Sequence, residues 1–71
     1  MDSKKVNSSM IESIGYDASS RTLEIVFKSS RSVWHYMDFP KKLWNRFVKA
    51  ESKGKFFHQN IKGEYDECRV R

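Results

Sequence analysis

Apolar and polar residues alternate along three short stretches in the first half of the chain, and the period then changes to that of a helix. Residues 9–17 (Ser-Met-Ile-Glu-Ser-Ile-Gly-Tyr-Asp) read as a strand in which Ile11 breaks parity with Ile14 and Tyr16, so a bulge is expected near its start. Asp17-Ala18-Ser19-Ser20-Arg21 has the composition of a turn. Residues 22–28 alternate cleanly, with Leu23, Ile25 and Phe27 on one face. A second turn at Ser29-Ser30-Arg31-Ser32 leads into a third strand over residues 33–38. A four-residue loop at 18–21 sets Tyr16 opposite Leu23 and Ile14 opposite Ile25. A loop around 29–32 sets Phe27 opposite Trp34 and Ile25 opposite Tyr36.

After Asp38-Phe39-Pro40 the pattern becomes helical. Proline is expected in the first turn, with Asp38 as the cap. Leu43, Trp44, Phe47, Val48 and Ala50 form one apolar stripe, and Lys41, Lys42, Asn45, Arg46 and Lys49 lie opposite it. Gly54 is the expected C-terminal stop. In residues 56–65, Phe56 or Phe57, Ile61 and Tyr65 anchor a short helix or turn over the open edge of the core.

The pattern predicts an α+β fold: a three-stranded antiparallel sheet (β-β-β) packed on one α-helix, with a short C-terminal helical or turn segment. The domain is expected over residues 9–65, between an N-terminal disordered tail at 1–8 and a C-terminal tail at 66–71. Its predicted core is Ile14, Tyr16, Leu23, Ile25, Phe27, Trp34, Tyr36, Leu43, Trp44, Phe47 and Val48. The other sheet face carries Val26, Val33, His35 and Met37, a mixed surface suited to one wet side.

Composition narrows the class. A chain of 71 residues holds one small domain. An aromatic content of 14% is too high for a chain without a core. No stretch approaches the ~18 apolar residues of a membrane span, and no signal-peptide run follows the start. The net charge of +5 is unevenly distributed. Residues 1–40 carry five basic and five acidic side chains. The window 41–63 carries Lys41, Lys42, Arg46, Lys49, Lys53, Lys55 and Lys62 against Glu51 alone. Such a concentration is either an electrostatic footprint for an anionic partner, nucleic acid first, or a solvated face that keeps the domain soluble.

The catalytic chemistries lack their usual signatures. Cys68 is the single cysteine, so an intramolecular disulfide is excluded and a reducing, cytoplasmic setting is expected. His35, His58 and Cys68 show no metal-ligand spacing, so no metal and no cofactor are expected. Gly15, Gly54 and Gly63 are isolated and form no phosphate-cradling loop. Nothing in the spacing of the serines and histidines suggests a nucleophilic triad. The chain is therefore expected not to be an enzyme.

Ser8-Ser9-x-Ile11-x-x-Ile14-Gly15-Tyr16-Asp17 and Thr22-Leu23-Glu24-Ile25, together with Trp34-His35-Tyr36, resemble the opening and the central Tyr-x-Tyr motif of the KTSC domain. That family is named for the C-terminal extension of some lysyl-tRNA synthetases. Phe39-Pro40 is similar to its Val-Pro step, and Ala50-x-Ser52-x-Gly54-Lys55-Phe56-Phe57 with Ile61 and Tyr65 resembles its closing segment. The likeness covers residues 8–65, with two departures: the second hairpin turn lacks the family's usual glycine, and His58 stands where asparagine is common. The resemblance implies a bacterial or phage-type domain, found alone or appended to a synthetase, for which RNA binding is a suggested role.

Two functions follow as expectations. The first is a non-enzymatic module that binds RNA, either tRNA or single-stranded, with Lys41, Lys42, Arg46 and Lys49 on phosphates and Lys53, Lys55 and Lys62 extending the track. The second is a phage or prophage module that docks on a host protein through the open sheet face or a free edge. His35 and His58 are candidate surface contacts, and no membrane partner is expected.

Overall fold

The computed structural model describes residues 2–71; Met1, at the head of the expected N-terminal tail, lies outside the described residues. Its frame is an antiparallel meander of five strands in sequence order: β1 (Asp2–Lys5), β2 (Ile11–Asp17), β3 (Thr22–Phe27), β4 (Val33–Tyr36) and β5 (Glu67–Arg69). Helix α1 (Lys41–Lys49), helix α2 (Lys53–Phe56) and a π-helical turn (Phe57–Ile61) fill the chain between β4 and β5.

Five strands stand where three were expected. The expected tails at 1–8 and 66–71 contribute the two additional strands, each pairing with an edge that would otherwise be free. Asp-Ser-Lys-Lys and Glu-Cys-Arg have no apolar alternation to betray them. They are held by main-chain hydrogen bonds to β2 and β4, which any sequence can make. The free edges of the sheet are therefore β1 and β5.

The β2–β3 register pairs Tyr16 with Leu23 and Ile14 with Ile25, and the bulge falls between Ile11 and Ser13. The β3–β4 register corrects the expected one. Leu23 faces Tyr36 and Ile25 faces Trp34, two residues away from the Phe27–Trp34 pairing. The turn sets this: Phe27 N–H donates to the Ser32 carbonyl at 3.0 Å, so the loop is residues 28–31. A shift of two leaves every side chain on its expected face.

The helix boundaries also differ from expectation. Pro40 is the N-cap of α1 rather than a first-turn residue, and no side chain caps it. Asp38 instead takes a left-handed conformation (φ 53°) where the chain leaves β4. α1 ends at Ala50, which is extended, and Gly54 lies inside α2 rather than at a stop. The Ser52 hydroxyl accepts the Lys55 N–H at 3.2 Å and opens α2 as a new helix.

The core lies between the inner sheet face and the helices. Ile11, Ile14, Leu23, Ile25, Tyr36, Phe39, Phe47, Phe57 and Ile61 are buried. Of the expected core, Tyr16, Phe27, Trp34, Leu43, Trp44 and Val48 are half-buried against it. Between Phe56 and Phe57, it is Phe57 that enters the core, packed edge-to-face with its ring centre 5.5 Å from that of Phe27 and 5.8 Å from that of Tyr36. Phe56 stacks on Phe47 at 5.1 Å. Tyr65 meets Phe39 at 5.0 Å and closes the far end.

Candidate nucleic-acid interface

The apolar stripe of α1 turns Lys41, Lys42, Arg46 and Lys49 outward, and all four are exposed. Lys42, Arg46 and Lys49 follow one another at spacings of four and three, the repeat of a single helix face. Arg46 and Lys49 lie in the last turn, where the helix dipole favours cations. The Arg46 guanidinium also sits 6.0 Å from the Phe56 ring centre, which braces it against the helix pair.

The remaining basic residues of the window diverge. Lys55 is exposed on α2. Lys53 is half-buried and donates from Nζ to the Ala50 carbonyl, at the C-terminus of α1. Lys62 follows the π-helical turn, closed by its own N–H donating to the Phe57 carbonyl at 2.8 Å. The turn delivers Lys62 to a different groove from the α1 face. Among the described residues, no lysine or arginine stands in an ion pair with a carboxylate; the one such pair is His35 Nε2 to Glu24 Oε2 at 2.9 Å.

The outer sheet face carries that histidine pair. Glu24 and His35 are direct cross-strand neighbours, and His35 in turn faces Cys68 of β5. Cys68 is exposed. Beside this row is a shallow groove of about 500 Å³, with Val26 and Val33 among its lining and Lys5, Lys28, Arg31 and Arg71 around it. His58, the other candidate contact, is exposed beside Phe57 at 5.6 Å between ring centres. Neither His35 nor His58 lines either of the two grooves. Among the described residues there is no group of three His, Cys, Asp or Glu side chains that could hold a metal ion.

The second groove, of about 480 Å³, opens on the inner face, where α1 does not reach. Trp34 and Phe27 line it, with Lys62 on the helical side and Arg69 and Glu67 on β5. Pairing sets Arg69 directly opposite Trp34 and Glu67 opposite Tyr36. Burial, and then the Glu67 charge, push the Tyr36 phenol up to about 12. The sequence does not single out Arg69, because its charge falls in a segment with no strand signal, and Trp34, expected in the core, is only half-buried. At the exposed first hairpin turn, the Ser19 and Ser20 hydroxyls hold the Asp17 carboxyl below its usual range.

Among the described residues, no helix is long and apolar enough to cross a membrane. The sequence matches the KTSC domain family over residues 7–65. The structure is similar to the crystal structure of a KTSC domain protein from Yersinia pestis, with a TM-score of 0.94 and 37% sequence identity. That match covers 99% of this chain and 97% of the other. No curated protein matches the sequence.

Proposed function

The chain belongs to the KTSC domain family, and we propose that it acts as a small non-enzymatic module that binds RNA through the exposed basic face of α1 and the start of α2. The observation that carries this reading is a set of five exposed cations, Lys41, Lys42, Arg46 and Lys49 on α1 and Lys55 on α2, with no internal carboxylate partner among the described residues. Phosphates are the natural counter-charge. Contacts of this kind position a strand without reading its sequence. The family's association with a tRNA synthetase extension points in the same direction.

Titration of tRNA and of a single-stranded RNA at two salt concentrations tests the proposal. Binding is expected in the micromolar range or weaker. Five engaged phosphates give a slope of about −3.5 in log K against log salt. A flat slope, or no binding at low salt, would sink it. A second reading, docking of a host protein of a phage-type system on the outer sheet face, is supported by the aliphatic residues Val26 and Val33 in the outer groove. Under that reading Val33→Glu abolishes the partner and Lys49→Glu is silent.

A further inference from the structure

We infer that the inner groove beside Trp34 is a base-stacking site, which takes one unpaired base of a single-stranded RNA while Lys62 and Arg69 hold the flanking phosphates. The inference rests on the RNA-binding reading of α1 but concerns a different surface. Three observations converge on it. The Trp34 indole is tethered at its edge, Nε1–H donating to Ser32 Oγ at 3.2 Å, so its plane is fixed before any ligand arrives. Ser30 Oγ in turn lies 2.6 Å from Ser32 Oγ and holds that tether in place. Among the described residues no other aromatic ring stacks on Trp34, whereas Tyr16, Phe27, Tyr36, Phe39, Phe47 and Phe57 all have ring partners.

The charges complete the chemistry. Lys62 and Arg69 line the groove with Trp34 from two separate elements. An aromatic platform between cations is the recurring arrangement for single strands, because every base has a π face and every linkage a charge. The outer groove offers a contrast: it has four cations around Val26 and Val33, and the one aromatic ring in its lining, Phe27, is already partnered by Phe57. Glu67, two residues from Arg69 on β5, repels phosphate from its own end of the groove and offers an acceptor to N–H groups on a base edge.

The test uses the full chain and oligouridylate or oligoadenylate of about ten nucleotides, a typical single-strand site size. In a Trp44→Phe variant, Trp34 is the remaining tryptophan. Its fluorescence is expected to fall on titration and to saturate. Trp34→Leu, checked for an unchanged fold by circular dichroism, is expected to weaken binding about tenfold, within the range for losing one stacked base. Lys62→Glu with Arg69→Glu is expected to weaken binding similarly and to make the salt slope shallower by about 1.4. RNA binding that is lost in Lys42→Glu/Lys49→Glu, with Trp34 fluorescence and the Trp34→Leu affinity unchanged, overturns the groove and leaves the α1 reading standing. Quenching that survives the α1 reversal upholds the groove and overturns α1 as the main contact. No binding of either oligonucleotide at low salt overturns both. A response to acidic peptides but not to RNA also overturns the inference and favours a protein partner.

Discussion

Tyr16 and Trp34 stand on the same face of one sheet, yet the protein treats them differently. Tyr16 is roofed: Trp44 stacks on it at 5.5 Å, the Phe39 ring packs edge-to-face with centres 6.3 Å apart, and the Tyr16 hydroxyl donates to the Phe39 carbonyl. Trp34 has a tether at its edge and cations beside it, but no ring above it. Simple lengths explain the difference. A helix of nine residues runs about 14 Å. A five-stranded sheet is about 19 Å across from first strand to last. One such helix cannot roof the whole face, and the π-helical turn reaches only as far as Phe27 and Tyr36. The covered part is core. The uncovered part, next to β5, is where an aromatic surface stays accessible.

The largest test of this division removes one side chain from each part. Phe47→Ala empties a fully buried site and should cost about 3–5 kcal/mol, enough to unfold much of a domain this small. Trp34→Ala should cost about 1–2 kcal/mol, because the ring is only half-buried. Urea unfolding of the two variants checks the ratio. Equal losses would mean that Trp34 is core after all and that the groove is not a separate surface.

Charge reversal on α1 should act on binding and leave stability nearly untouched. Lys42→Glu with Lys49→Glu replaces two exposed side chains with no carboxylate partner among the described residues. Its unfolding midpoint should stay within about 0.5 kcal/mol of the parent. The salt slope of RNA binding should become shallower by at least about 1.4. A parent-like slope would remove α1 from the interface.

Tyr36 lies at the boundary between the two parts, under Phe57 and opposite Glu67. Its phenol ionises at about 12 in the folded protein against 10.0 when unperturbed. A raised folded value stabilises the protein fully below the unfolded pKa, and that contribution is lost as pH rises from 10.0 to about 12. Tyr36→Phe should therefore lose less stability than the parent between about pH 10 and pH 12. The titration of lysines is common to both proteins and cancels in the comparison. Parallel losses would show that the phenol is more open to water than its buried position requires.

Much of this architecture can be read from the residues, and the boundary of legibility is physical. Strands β2 to β4 and helix α1 bury one side, so Ile14, Leu23, Ile25 and Phe47 print a period on the sequence. Strands β1 and β5 bury no apolar row and are fixed by main-chain hydrogen bonds, which leave no mark on residue type. The basic face of α1 was legible because a stripe fixes its opposite. The inner groove was not, because it depends on β5, and Trp34 looks like core until the strand beside it and the helix that falls short of it are both known. The β3–β4 register slipped because the choice between loops 28–31 and 29–32 lies in backbone conformation, where four polar residues give no preference.

That turn carries the smallest predicted effect. The two hairpin loops, one beside each part of the inner face, are both four residues long and both end on an arginine at φ 55°. A β-carbon in this left-handed region is strained, and glycine is not. The second turn of this chain, Ser29-Ser30-Arg31-Ser32, holds no glycine. Arg31→Gly should relieve the strain and lose part of the gain to the freer unfolded chain, a net of about 0.5 kcal/mol. In a domain of this size that raises the melting temperature by about 2–4 °C. Arg21→Gly should give the same rise, because the Arg21 carbonyl that accepts the Phe39 N–H at 2.9 Å is main chain and survives the change. The variants differ in what else they remove. Arg31 lines the outer groove and Arg21 does not, so Arg31→Gly alone should weaken any anion held there. Neither should alter RNA binding at the inner groove. A drop in melting temperature for both would mean that the arginine side chains contribute more to the turns than the backbone strain costs.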